Sequence, residues 1–154
     1  MPIIKFPDVR KEGNQLEKAG ALIPVTISLP ETLAALREGE GKPVQGPVRG
    51  MALLDTGADA SAIDIGVFRH FSILAIDRVG FNSAGGRATS EVFPAWLSLP
   101  EFNIPKLEME RVIGCDFGWT GRKDDEFLML MGRDILRNFL LVYDGIHDEW
   151  LLGH

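Results

Sequence analysis

The sequence predicts a mostly β fold, and three observations predict it. Seventeen Gly and nine Pro cut the 154 residues into short pieces. The pieces are of strand length, and they are rich in β-branched and aromatic residues, which favours strands and turns over long helices. Hydrophobic residues make up 45% of the chain and charged residues 25%, a globular composition. A chain of this length is expected to form one domain, residues 1–154, able to bury roughly 70% of its unfolded surface. Residues 1–20 are a candidate N-terminal extension of that domain.

Taken in order, "ALIPVTISL" (Ala21 to Leu29) alternates well enough to be a strand. Ser28 and Glu31 then have the spacing of a capping box, and Leu29, Leu33 and Leu36 recur at helical spacing until Gly39. "GKPVQGPVRG" reads as a loop into a second strand, "VRGMALLD". Asp64 is placed to cap a short helix through "IGVFRHF", with Ile65, Phe68 and Phe71 near one face. "LAIDRVGFNSAGGRATSEVFPAWLSL" reads as two strands turning around Ser83 to Gly86, where adjacent glycines allow positive φ. A strand in "IPKLEMERVIG" precedes a polar and aromatic loop, "CDFGWTGRKDDE", and a short buried strand, "FLMLMG". "RDILRNF" makes one or two helical turns, and Asp144-Gly145 marks a last hairpin in "LLVYDGIHDEWLLG".

Several function classes fall away on composition. The net charge is −6 and the basic residues are scattered, so nucleic acid is not an expected partner. No apolar run approaches the ~20 residues that span a bilayer, and the N-terminus lacks a secretory pattern; a cytoplasmic protein without membrane partners is expected. Cys115 is the single cysteine, and the three histidines, His70, His147 and His154, lie far apart. No metal site or cofactor is expected. "DFG" at Asp116 lacks every other kinase element, and "GEGKP" lacks the first glycine and the hydroxyl residue of a phosphate-binding loop.

The chemistry concentrates where "MALLDTGAD" drives an apolar strand into a carboxylate, Asp55. A turn acid capping its own Thr-Gly bend is the plain structural account. The apolar context adds another, because low dielectric penalises an isolated charged carboxylate. Two such carboxylates close together cannot both ionise and share one proton, which supplies a base for water and an acid for a carbonyl oxygen, the arrangement known from aspartic proteases. The chain contains no second Asp-Thr-Gly or Asp-Ser-Gly. A dyad therefore needs a homodimer in which Asp55 faces its own copy across a two-fold axis.

"ALLDTGAD" followed downstream by "LMLMGRDIL" resembles the retropepsin family, the single-domain aspartic proteases of retroviruses and their prokaryotic relatives. The resemblance runs from about Ala21 to Leu152 and implies a closed β-barrel of acid-protease type, with a glycine-tipped flap hairpin and one or two short helices. It implies an endopeptidase that hydrolyses peptide or protein substrates as a homodimer through two copies of Asp55 and an activated water. Thr56 would lock the two active-site loops together and Gly57 would contact substrate backbone. Asp59 would bind substrate main chain and pair with Arg133, next to Gly132, and Ser83, Ala84, Gly85 and Gly86 resemble the flap tip. Ala58 stands where pepsin-like enzymes carry a hydroxyl, which implies activity at mildly acid to near-neutral pH. Ser28 to Gly39 and Gly114 to Glu126 are insertions relative to the compact viral enzymes, and the aromatic pair Phe117 and Trp119 in the second is expected to fold back onto its own core. A non-catalytic peptide-binding or assembly module on the same fold is the alternative. A phosphotransferase using Asp55 is disfavoured by Gly57, which stands where a second magnesium-binding acid would be needed.

Overall fold

The computed structural model describes residues 3–7 and 15–154. Two short elements come first, β1 (Ile3–Pro7) and α1 (Gln15–Ala19). β2 (Leu22–Ser28), α2 (Glu31–Gly39) and β3 (Val48–Leu54) follow, then β4 (Ala62–Asp64) and α3 (Ile65–His70). β5 (Asp77–Ser83), β6 (Gly86–Ser98) and β7 (Leu107–Cys115) precede β8 (Phe127–Met131) and α4 (Arg133–Leu136). The last hairpin is β9 (Leu140–Asp144) and β10 (Glu149–Gly153).

The large sheet has the order β2-β3-β8-β4-β7-β6-β5, and β6 also pairs with β2. That extra pairing closes six strands into a barrel and leaves β5 as an appendage of β6. Closure removes the open edges that a flat sheet would expose. The strands obey the expected alternation: Ile23, Val25 and Ile27 of β2 point inward while their neighbours are half-buried. Leu128, Met129 and Met131 of β8 are fully buried, because β8 lies between β3 and β4 and is covered on both faces. Two pairings, β3 with β8 and β4 with β7, are parallel. Glycine at position 50 is required by packing, since a Cβ there would overlap the Leu128 side chain and sit 2.7 Å from the Glu126 carbonyl oxygen.

Several features differ from the expectation, the short helix α1 among them. β1 was not anticipated as a strand; it pairs antiparallel with β10, so residues at the two ends of the chain share one three-stranded sheet, β1-β10-β9. β4 is too short to stand out in sequence and becomes a strand through its pairings with β7 and β8. The capping box at Ser28 and Glu31 does not form. Ser28 ends β2, its buried hydroxyl has no hydrogen-bond partner among the described residues, and the helix starts after Pro30, whose fixed φ of −53° sets the entry without a side-chain cap. Leu36 of α2 is exposed while Leu33 and Ala34 pack against the core, and Arg37 adds two bonds, its Nη1 donating to the Phe71 carbonyl and Nη2 to the Ser72 carbonyl, both at 2.5 Å.

Asp64 caps α3 as expected, accepting the Gly66 N–H at 2.7 Å. It does more. Its second oxygen accepts the N–H groups of Phe117 (2.7 Å) and Trp119 (3.1 Å), so one carboxylate only 2% exposed pins the 114–126 insertion to the barrel. Trp119 packs against the core, and the Phe117 ring lies 5.0 Å from that of Phe127. The far end of the insertion closes on Glu126, which accepts the N–H groups of Thr120, Arg122 and Lys123 at 2.7 to 2.8 Å. These donors, led by the Thr120 N–H, hold the Glu126 carboxyl down from 4.5 to about 2.

A carboxyl depressed in the native state stabilises above its unfolded pKa and loses that contribution as the pH falls toward the folded one. Hydrogen-exchange protection at Thr120, Arg122 and Lys123, corrected for intrinsic rates, is expected to be full above pH 4.5, to decline below it and to be gone below about 2. Glu126→Gln removes the pH dependence, and protection that does not change across this window would contradict the assignment.

Candidate active site

β3 and β8 run parallel, with Leu54 opposite Met131, so both strands deliver their following loops to the same end of the barrel. The Asp55 N–H donates to the Met131 carbonyl at 2.9 Å, extending the ladder by one bond. This is how Asp-Thr-Gly and Gly-Arg-Asp, remote in sequence, become neighbours. The Asp55 side chain is half-buried, and its Oδ1 accepts the Gly57 N–H at 2.8 Å. A Cβ on residue 57 would sit 3.0 Å from that oxygen, so glycine keeps the bond unobstructed. The Ala58 N–H donates to the Asp55 carbonyl at 3.3 Å and closes the turn.

Arg133 locks this loop. Its N–H donates to the Ala58 carbonyl at 2.9 Å, and Nη1 donates to the carbonyls of Thr56 (2.8 Å) and Gly57 (3.2 Å). The expected ion pair with Asp59 is absent among the described residues, and Asp59 is exposed. The physical reason lies in the turn. Thr56 and Gly57 direct two carbonyls away from any strand, and a guanidinium with several fixed donors satisfies both at once. Gly132 makes the approach feasible, because a Cβ there would lie 2.7 Å from the carbonyl carbon of Ala60 and 2.8 Å from its oxygen.

Two residues of the site were not anticipated. Ser61, only 1% exposed, donates its N–H (2.9 Å) and its hydroxyl (2.6 Å) to the two oxygens of Asp134, while its Oγ accepts the Gly132 N–H at 2.9 Å. The two loops are thus tied by a side-chain network as well as by Arg133. Asp134 was visible in "GRD", but nothing in the sequence paired it with Ser61; only the parallel register does.

The hairpin expected at Ser83 to Gly86 is present. β5 and β6 pair from Asp77 opposite Val92 to Ser83 opposite Gly86, leaving a two-residue turn, Ala84-Gly85. Gly86 has φ +109°, which L side chains rarely adopt. Its base is braced by Arg111 on β7, which donates to Asp77 at 2.5 Å and holds that carboxyl below its usual range, and by the 3.4 Å pair of Arg78 with Glu91. Because β6 continues through the barrel wall to Ser98, the hairpin is the projecting end of a rigid strand. Cys115 lies apart from this constellation in the sequence of elements, and burial pushes its thiol up, the opposite of an activated nucleophile.

The architecture is a closed barrel carrying an Asp-Thr-Gly loop, a Gly-Arg-Asp loop and a projecting hairpin. Among solved structures, the chain is similar to EIAV protease complexed with the inhibitor HBY-793, with 21% identity and a TM-score of 0.41 over 60% of this chain and 76% of that one. It is also similar to simian foamy virus (mac) protease, with 11% identity and a TM-score of 0.42 over 74% of this chain and 91% of that one. No family model matches the chain, and no curated protein matches it.

Replacing Ser61 by Ala leaves the buried Gly132 N–H without its acceptor and removes the hydroxyl donor to Asp134 Oδ1, which keeps the Ile135 N–H, while Oδ2 keeps the backbone N–H of residue 61. The expected loss is about 1–3 kcal/mol in denaturant unfolding, most of it from the unsatisfied Gly132 N–H. A variant as stable as the wild type would show that the two loops are held by Arg133 and the strand ladder alone.

Proposed function

We propose that the chain is an aspartic endopeptidase of retropepsin type, acting as a homodimer through two copies of Asp55. The observation that carries this reading is the Asp55 carboxylate itself: half-buried at the end of a buried strand, one oxygen on the Gly57 N–H, its loop locked from below by Arg133. A turn acid needs only the first of these bonds. The guanidinium clamp and the Ser61–Asp134 network hold the carboxylate's position more firmly than capping requires, which is what a catalytic group needs.

In this reading two carboxylates meet across a two-fold axis. At a separation near 4 Å and an effective dielectric of 20, their repulsion is about 4 kcal/mol, so only one is ionised over a window of several pH units. The ionised member takes a proton from water as the water oxygen bonds to the peptide carbonyl carbon. The protonated member gives its proton to the carbonyl oxygen, forming a neutral gem-diol. In the collapse of that intermediate the ionised carboxylate takes a proton from one hydroxyl while the protonated member gives its proton to the leaving nitrogen, the C–N bond breaks, and the dyad again holds one proton. The Gly57 backbone and Asp59 bind the substrate main chain, and the hairpin tip, Ser83 to Gly86, closes over an extended peptide by backbone hydrogen bonding. The reaction as written calls on no metal or cofactor.

Asp55→Asn is expected to lower the rate of peptide-library cleavage by roughly 10²–10⁴-fold while leaving the dimer mass in solution unchanged. Equal cleavage by this variant would refute the assignment, and extended peptides bound but uncut by the wild type would favour a binding module. The rate of the wild type should follow a bell-shaped dependence on pH, one limb for each proton of the pair. A single sigmoid would point to one titrating group and sink the dyad.

A further inference from the structure

α2, the link 72–76 that leads into β5, and the outer faces of β6 and β7 line a groove of about 790 Å³. Its lining is largely aliphatic: Leu33 and Leu36 come from α2, Ile73, Leu74 and Ile76 from the link, and Pro94 from β6. Leu36, Leu74 and Ile76 are 58%, 88% and 54% exposed. Apolar side chains scattered singly over a surface mean little, whereas three gathered in one concavity mark a contact surface. The link is fastened in this position. The Ser72 carbonyl accepts from Arg37, the Ile73 N–H donates to the Phe68 carbonyl at 3.2 Å, and the Ile76 N–H donates to the Val92 carbonyl at 2.8 Å.

The charge around the groove leaves one sign over. Glu108 and Glu110 line it from β7, and neither has an ion-pair partner among the described residues. The neighbouring cations are engaged elsewhere: Arg37 with the carbonyls of Phe71 and Ser72, and Lys42 with Glu40 at 2.7 Å. Lys106 lies over the Trp96 ring at 5.5 Å, and Arg111 holds Asp77. Glu108 and Glu110 are alternate residues of one strand, so their side chains leave the same face, roughly 7 Å apart along it.

We propose that this groove docks an extended segment of a partner protein in which basic residues alternate with aliphatic ones. Spacing and charge select that occupant. An extended segment repeats every two residues over the same distance of roughly 7 Å, so Lys or Arg at alternate positions can meet both carboxylates. The aliphatic residues between them then turn to Leu33, Leu36 and Leu74. The same carboxylates repel an anionic lipid surface. Docking requires nothing of Asp55, and the groove shares no residue with the Asp-Thr-Gly loop, the Gly-Arg-Asp loop or the Ser83 to Gly86 tip. It places the partner at the base of the projecting hairpin, because β5 begins one residue after Ile76.

The experiment measures fluorescence anisotropy of labelled synthetic peptides on the full wild-type chain, and again on Asp55→Asn so that cleavage cannot imitate release. Leu-Arg-Leu-Arg-Leu is expected to bind on the order of 10-fold more tightly than Leu-Ser-Leu-Ser-Leu, and Leu-Glu-Leu-Glu-Leu more weakly than either. Glu108→Lys combined with Glu110→Lys should reverse the order of the arginine and glutamate peptides. Leu74→Ser, at an exposed position, should weaken the arginine peptide about 10-fold with an unchanged thermal unfolding profile. Equal binding of the arginine and serine peptides overturns the docking, as does binding that ignores both sets of substitutions or an arginine peptide that does not bind. A sedimentation mass that changes with the groove substitutions in the absence of peptide makes a second copy the occupant and also overturns it. Should the double variant fail to fold, the ranking of the peptides and Leu74→Ser decide the outcome.

Discussion

The parallel pairing of β3 with β8 is the constraint on which the rest of the site depends. An antiparallel pair would deliver the Asp55 and Arg133 loops to opposite ends of the barrel. The parallel pair, with Leu54 beside Met131, puts them at one end and in register. From that placement the remaining bonds follow locally: Asp55 N–H to Met131, Arg133 to the carbonyls of Thr56, Gly57 and Ala58, and Ser61 to Asp134 and Gly132. Parallel strands need a long connection between them. Here the connection includes β4 to β7, so the barrel wall and the projecting hairpin are themselves the crossover that brings the loops together.

The site shows how buried polar groups can stiffen a turn. The Thr56 and Gly57 carbonyls, which point away from any strand, both accept from the Arg133 guanidinium, and the Ala58 carbonyl accepts the Arg133 N–H. Bonds to charged groups contribute about 1.5–3 kcal/mol where neutral ones contribute about 1. Arg133 is largely exposed, so its contribution belongs at the lower end of that range. Ser61 is buried, and its bonds to Asp134 weigh more heavily.

The two insertions are anchored by the same means. One side chain, Arg37, fastens α2 to the chain after α3, and one carboxylate, Asp64, both caps α3 and holds the 114–126 segment. Neither segment relies on a wide apolar face: α2 buries no residue fully, and the far end of the second insertion folds around Glu126. The insertions thus combine apolar contact with the core, through Leu33, Ala34 and Trp119, with charged groups that take several backbone partners.

Local chemistry was legible in the sequence wherever a few adjacent residues determine it. The two-residue turn of the hairpin, the Asp64 cap, the strand ahead of Asp55 and the short helix after Gly132 all follow from patterns within one or two turns of chain. The capping box at Ser28 had the right spacing but the wrong neighbour, since Pro30 already sets the helix entry. Tertiary structure alone decided what depends on strand pairing: that β4 is a strand, that β1 joins the C-terminal hairpin, that Arg133 serves carbonyls and not Asp59, and that Ser61 meets Asp134. A side chain's preference for helix, turn or burial is written in its neighbours along the chain, whereas its hydrogen-bond partner is set by the register of strands distant in sequence.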